Sequence, residues 1–77
     1  MAIPVEVPKL GNTVEECLIG KWLKHKGDQV STGEVVVEIE TDKANFEVTA
    51  PVDGIVLDTF FDEGALVPVF ANIFVIG

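Results

Sequence analysis

Apolar residues return at every second position along much of this chain. Ile3, Val5 and Val7 alternate with Pro4 and Glu6; Val35, Val37 and Ile39 form one later run, and Phe46, Val48 and Ala50 another. Period two is the mark of a strand with one buried face. Leu18, Ile19, Trp22 and Leu23 mark a strand ending near Lys24, Ile55 to Phe61 another, and Ile73 to Ile76 a last one. Turn-forming clusters separate the runs: Lys26-Gly27-Asp28, Ser31-Thr32-Gly33-Glu34, Val52-Asp53-Gly54 and Asp62-Glu63-Gly64. Residues 8–15 lack periodicity and read as a loop. No helical period extends far. The pattern predicts a single all-β domain over residues 1–77.

The stretch from Glu38 to Glu47 fixes a register. With Asp42-Lys43 as a two-residue loop, Thr41 faces Ala44, Ile39 faces Phe46, Val37 faces Val48 and Val35 faces Ala50. That register places one apolar face inward, and a one-residue slip would mix the faces. On the other face Glu38 falls opposite Glu47, with Glu40 and Asp42 close by, although like charges directly opposed are destabilising. Lys43 is the only cation in residues 27–77. It is displayed alone on an acidic hairpin.

The chain also repeats itself. Residues 16–40 align on residues 53–77 at an offset of 37, so that Gly27 falls on Gly64, Ile39 on Ile76 and Leu23 on Phe60. Val5-Glu6-Val7 aligns on Phe46-Glu47-Val48 at an offset of 41, which assigns four extra residues to the loop of the first half. Under this symmetry the chain ends occupy the place equivalent to the Lys43 hairpin. They are expected to lie together, away from the lysine. The glycines at 27, 54 and 64 are expected in turns that require positive φ.

Charge and chemistry narrow the function. A formal net charge of −8 argues against nucleic acid, which requires basic patches. The most apolar stretch, Ala65 to Ile76, is short for a membrane span and is interrupted by Pro68 and Asn72. The N-terminal residues lack the basic and apolar regions of a signal peptide. Cys17 is alone, which rules out an internal disulfide, and reads as a small buried hydrophobe. One His and one Cys cannot complete a tetrahedral metal site. His25, between Lys24 and Lys26, reads as an exposed side chain, and no orienting group supports a catalytic pair with Cys17. Catalysis by the chain alone is not expected.

Glu40-Thr41-Asp42-Lys43-Ala44, followed by Ala50-Pro51-Val52-Asp53-Gly54, closely resembles the lipoyl domain of 2-oxo acid dehydrogenase acyltransferases, within the biotinyl/lipoyl attachment family. The resemblance covers Val5 to Ile76. It implies a flattened β-barrel, or sandwich, of two antiparallel sheets with quasi-twofold symmetry. It implies lipoic acid bound covalently to Lys43, flanked by Asp42 and Ala44 in the turn. The carried group would shuttle acyl groups and reducing equivalents between active sites. The implied partners are a lipoate ligase or lipoyl transferase, a 2-oxo acid decarboxylase, the acyltransferase core and dihydrolipoamide dehydrogenase. Glu38, Glu40 and Glu47 then become a recognition rim for basic partner surfaces, and the loop at residues 8–15 lies beside the modified hairpin. The compartment implied is the bacterial cytoplasm, or the mitochondrial matrix in a eukaryote.

Residues 8–16, Pro-Lys-Leu-Gly-Asn-Thr-Val-Glu-Glu, look most like the lipoyl domains of pyruvate or acetoin dehydrogenase acyltransferases. No Ala/Pro-rich linker occurs before Gly77, and the sequence is equally compatible with a piece of an acyltransferase and with a free-standing carrier. Where the family usually has glycine, as the counterpart of Gly33, this chain has Phe70, which puts the local turn geometry in question. Two other readings compete. A biotinyl carrier of a biotin-dependent carboxylase shares fold and hairpin, but its lysine usually lies between methionines, whereas Asp42 and Ala44 flank Lys43 here. An acidic binding module would leave Lys43 unmodified, as an edge lysine that deters sheet aggregation.

Overall fold

A computed structural model describes residues 2–11 and 14–77. The strands are β1 (Ile3–Glu6), β2 (Glu16–Trp22), β3 (Gln29–Val30), β4 (Val35–Glu40), β5 (Asn45–Thr49), β6 (Gly54–Thr59), β7 (Leu66–Pro68) and β8 (Asn72–Ile76). They form two four-stranded sheets with orders β1-β8-β6-β3 and β5-β4-β2-β7. Every pairing is antiparallel. β3 and β7 were not anticipated; at two and three residues they are too short to establish an alternation.

The quasi-twofold symmetry is present in the pairing itself. β2 meets β4 through Ile19–Ile39, Lys21–Glu38 and Trp22–Val37, with a bulge at Gly20. β6 meets β8 through Val56–Ile76, Asp58–Val75 and Thr59–Phe74, with a bulge at Leu57. Each partner is displaced by 37 positions, as expected from the sequence. The first segment requires a correction. Ile3 pairs with Ile76 and Val5 with Phe74, as Phe46 pairs with Ile39 and Val48 with Val37. The offset between β1 and β5 is therefore 43 rather than 41, and the loop of the first half carries six extra residues rather than four. The pairing of Ile3 with Ile76 brings the chain ends together at the position equivalent to the Lys43 hairpin.

A bulge also alters the hairpin's far end. Val35 pairs with Thr49 instead of Ala50, because Val36 is an extra residue in β4. Val36 and Val37 are consecutive and both fully buried, and the Val36 carbonyl accepts from the amides of Leu23 and Lys24 at 2.8 and 3.1 Å. Such a two-against-one arrangement turns the strand while keeping its backbone bonded. Ile73 and Phe74 repeat it in the other half: both are fully buried, and the Ile73 carbonyl accepts from Phe60 at 3.0 Å.

The core is mostly aliphatic, and no charged side chain is buried among the described residues. Trp22 of one sheet and Phe74 of the other meet edge to face, with ring centroids 6.1 Å apart and an interplanar angle of 80°. The Trp22 indole N–H donates to the Phe61 carbonyl at 3.0 Å, and its amide to Glu63 Oε2 at 3.0 Å. Its polar hydrogens are thus satisfied at little cost. Cys17 is buried, as read from the sequence, and burial pushes its thiol pKa up. Thr32 donates to Asp53 Oδ1 from its amide at 2.7 Å and its hydroxyl at 2.9 Å, tying two turns together and holding the Asp53 carboxyl below the usual carboxylate range.

Phe70 keeps the geometry that glycine supplies in the other half. Its φ is 72°, against 85° at Gly33. The same bonds surround both: the Gly33 amide donates to Ala50 O at 2.8 Å and that of Phe70 to Val7 O at 3.0 Å. The turn is preserved at the expense of backbone strain, on the order of 1–2 kcal/mol for an L-residue in this region. Phe70 is 60% exposed and recovers little by burial. Phe70→Gly removes the strain but gains unfolded-state entropy, so a net stabilisation of about 0.5 kcal/mol is expected. In a thermal melt the midpoint should rise by about 2–4 °C, whereas a fall would show that the ring contributes more than the strain costs.

Candidate functional site: the Lys43 hairpin and its groove

The predicted hairpin register holds at its tip and middle. Ile39 pairs with Phe46, Val37 with Val48, Glu38 with Glu47, and Glu40 with Asn45. Thr41 and Ala44 close the loop, the Thr41 amide donating to the Ala44 carbonyl at 2.9 Å. Asp42 and Lys43 are the two loop residues, and neither has positive φ. The turn therefore differs from the primed types that fit two-residue hairpins most closely. A threonine hydroxyl compensates: Thr41 Oγ1 donates to Ala44 O at 2.9 Å and accepts from the Ala44 amide at 3.3 Å. The sequence placed Thr41 opposite Ala44 but gave its hydroxyl no role. The signal was a Thr directly before the loop, where its hydroxyl can replace a backbone partner.

Lys43 is exposed at the tip, and no salt bridge involves it among the described residues. Asp42 and Ala44 beside it are exposed as well. The mount beneath is stiffer. Ile39 and Val37 are fully buried, Val48 is buried and Phe46 is half-buried. The exposed primary amine is thus displayed on a fixed support, a geometry suited to a group that other proteins must reach.

The acidic rim has a neighbour that the hairpin alone did not reveal. Glu38 pairs with Glu47 on one side and with Lys21 of β2 on the other. The like-charged pair is therefore flanked by a cation, which offsets part of the repulsion. Glu40 lies between Asn45 and Leu18, one step closer to the tip.

An open groove of about 710 Å³ runs beside the hairpin. Residues 40–44 line one side, and Leu10, Gly11, Val14 and Glu15 from the loop line another. The longer loop of the first half thus lies against the lysine hairpin, as the resemblance implied. Asn12 and Thr13 fall outside the described residues. His25 lies elsewhere, exposed, its amide donating to Asp28 Oδ2 at 2.8 Å. The structure does not bring it to Cys17, which lines the groove.

Comparison with known proteins agrees with this geometry. A family profile described as "Biotin-requiring enzyme", of the biotin/lipoyl group, matches residues 3–76. The chain belongs to the biotin/lipoyl attachment family. Within that family it falls with the lipoyl domains of 2-oxo acid dehydrogenase acyltransferases. It is 45% identical over 69 residues to the dihydrolipoyllysine-residue succinyltransferase component of the 2-oxoglutarate dehydrogenase complex of Rickettsia felis, covering 90% of this chain and 17% of that protein. It is 42% identical over 76 residues to the dihydrolipoyllysine-residue acetyltransferase component of the pyruvate dehydrogenase complex of Mycobacterium bovis, covering 99% of this chain and 14% of that protein. The chain thus spans less than a fifth of the length of these relatives. The solution structure of the lipoyl domain of the Azotobacter vinelandii 2-oxoglutarate dehydrogenase complex superposes with a TM-score of 0.74 at 28% identity, over 94% of each chain.

Proposed function

We propose that this domain is a lipoyl carrier in which Lys43 bears lipoate in amide linkage. The observation that carries the reading is the presentation of Lys43: an exposed amine on a two-residue loop, closed by Thr41 and Ala44 over a packed hairpin. The residues fit the group. Acylation requires only a reachable primary amine and removes its charge, and the groove beside the tip is open. When bound, lipoate supplies a dithiolane that opens to a dithiol and holds an acyl group as a thioester. The chain's own contribution is to hold the lysine at a fixed height and direction and to present the surface that partners read.

Lipoate is favoured over biotin by the residues flanking Lys43 and by the relatives, which are named for dihydrolipoyllysine. A lipoate ligase or lipoyl transferase would attach the group. A 2-oxo acid decarboxylase, an acyltransferase core and dihydrolipoamide dehydrogenase would then use it. The loop sequence points to pyruvate or acetoin as the source of the acyl group, while the relatives span both pyruvate and 2-oxoglutarate complexes.

Intact mass after expression with lipoate and a lipoate ligase separates the readings, since lipoyl, biotinyl and no addition differ in mass. The unsubstituted domain is expected to gain one lipoyl group, and Lys43→Arg none, because a guanidinium remains protonated and is not acylated. A lipoyl addition to Lys43→Arg would reassign the site.

Glu38, Glu40 and Glu47 form the proposed recognition rim. Charges at such a rim act mainly on association rate and are screened by salt. Glu38→Gln with Glu47→Gln on lipoylated domain is expected to slow reductive acylation several-fold at low salt and to flatten its salt dependence. Thermal stability should change by no more than about 0.5 kcal/mol, since Lys21 already offsets part of the pair's repulsion. An unchanged acylation rate at low salt would reduce the rim to a solvated face.

A further inference from the structure

Leu18 and Leu66 are opposed across β2 and β7 and are 42% and 58% exposed. Single exposed leucines are ordinary. This pair differs because it lines the same groove as Lys43, together with Leu10 and half-buried Phe46. The fold does not impose the pair. At the equivalent place in the other half, Ile55 is opposed to Gln29, and that half has no lysine hairpin.

We propose that the acylated Lys43 arm folds back onto Leu18 and Leu66, so that its hydrocarbon chain and dithiolane rest in the groove between transfers. The inference rests on the carrier reading above. Four features single out this occupant. Lys43 contributes to the groove's own lining, so the arm starts there. Acylation removes the ammonium charge that would hold the arm in water, and leaves a neutral, largely apolar group. Tethering raises the local concentration to the millimolar range, so that an intrinsic affinity of the arm for the groove in that same weak range populates the docked state. Glu40 and Asp42 at the groove's edge disfavour an anionic occupant but are indifferent to a neutral one.

The test uses lipoylated domain whose intact mass shows the addition. Methyl-resolved NMR should show nuclear Overhauser contacts from Leu18 and Leu66 methyls to the arm. The dithiolane should also be reduced by a water-soluble phosphine roughly threefold more slowly than in the Leu18→Ser, Leu66→Ser variant, since protection equals the reciprocal of the undocked fraction. If the double variant fails to fold, Leu66→Ser alone serves the comparison, and the contacts in the unsubstituted domain decide. Absence of those contacts, or equal reduction rates, overturns docking while leaving the carrier reading intact. Absence of the added mass overturns the carrier reading, and docking with it.

Discussion

Moving the lysine by one residue abolishes lipoylation while leaving the fold in place; this is the expected result for Asp42→Lys combined with Lys43→Ala. Neither residue takes part in the bonds that close the loop, which run between Thr41 and Ala44. The hairpin should therefore keep its register, and the thermal midpoint should stay within a few degrees. The amine, however, leaves from a different backbone position of the turn and points elsewhere. Misplacement by an ångström or so at a reacting centre costs on the order of a hundredfold. A ligase that reads position should then leave the variant unmodified over an incubation that fully modifies the parent. Intact mass gives the extent of modification and a thermal melt gives the integrity of the fold. Efficient modification at position 42 would mean that the flanking sequence, rather than the geometry of the mount, is what the ligase reads.

The same geometry shows what the sequence could and could not disclose. Near the tip, Ile39–Phe46, Val37–Val48 and Glu38–Glu47 were legible because a one-residue slip would bury glutamates. Farther back, Val35–Ala50 failed. A bulge at Val36 adds one residue to β4, and three successive valines offer no polar residue to show where the alternation breaks. The offset of β1 on β5 failed for a related reason. A shift of two positions returns every side chain to the same face, so period-two patterning cannot tell 41 from 43. Phe70, the counterpart of Gly33, left the turn geometry open, because its residue type gives no signal of positive φ. The place of Lys43 at a hairpin tip was legible from the alternation on either side of it, whereas the groove was not. Leu18 and Leu66 are far apart in sequence and meet only once β7 pairs with β2.

Gly54 was expected in a turn with positive φ, and the structure places it in β6 without one. Its constraint is lateral. A Cβ there would lie 2.7 Å from Ile76 Cγ2 and 2.9 Å from the Gly77 carbonyl oxygen. Neither neighbour yields easily. Ile76 is fully buried, and the Gly77 carbonyl accepts the Ile55 amide at 2.9 Å. The equivalent residue in the first half is Cys17, also small, and buried there. Gly54→Ala is therefore expected to destabilise by about 2 kcal/mol, in the range for overpacking, after allowing for the smaller entropy of the unfolded alanine chain. For a domain of this size the melting midpoint should fall by about 8–16 °C. A coupled substitution identifies the cause. Ile76→Ala alone opens a cavity, but combined with Gly54→Ala it removes the closest clash and lets the new methyl occupy part of the space. The double variant should then lose clearly less stability than the sum of the single ones. Strict additivity, or a midpoint for Gly54→Ala within about 2 °C of the parent, would show that β6 and β8 separate at little cost and that the close approach is incidental.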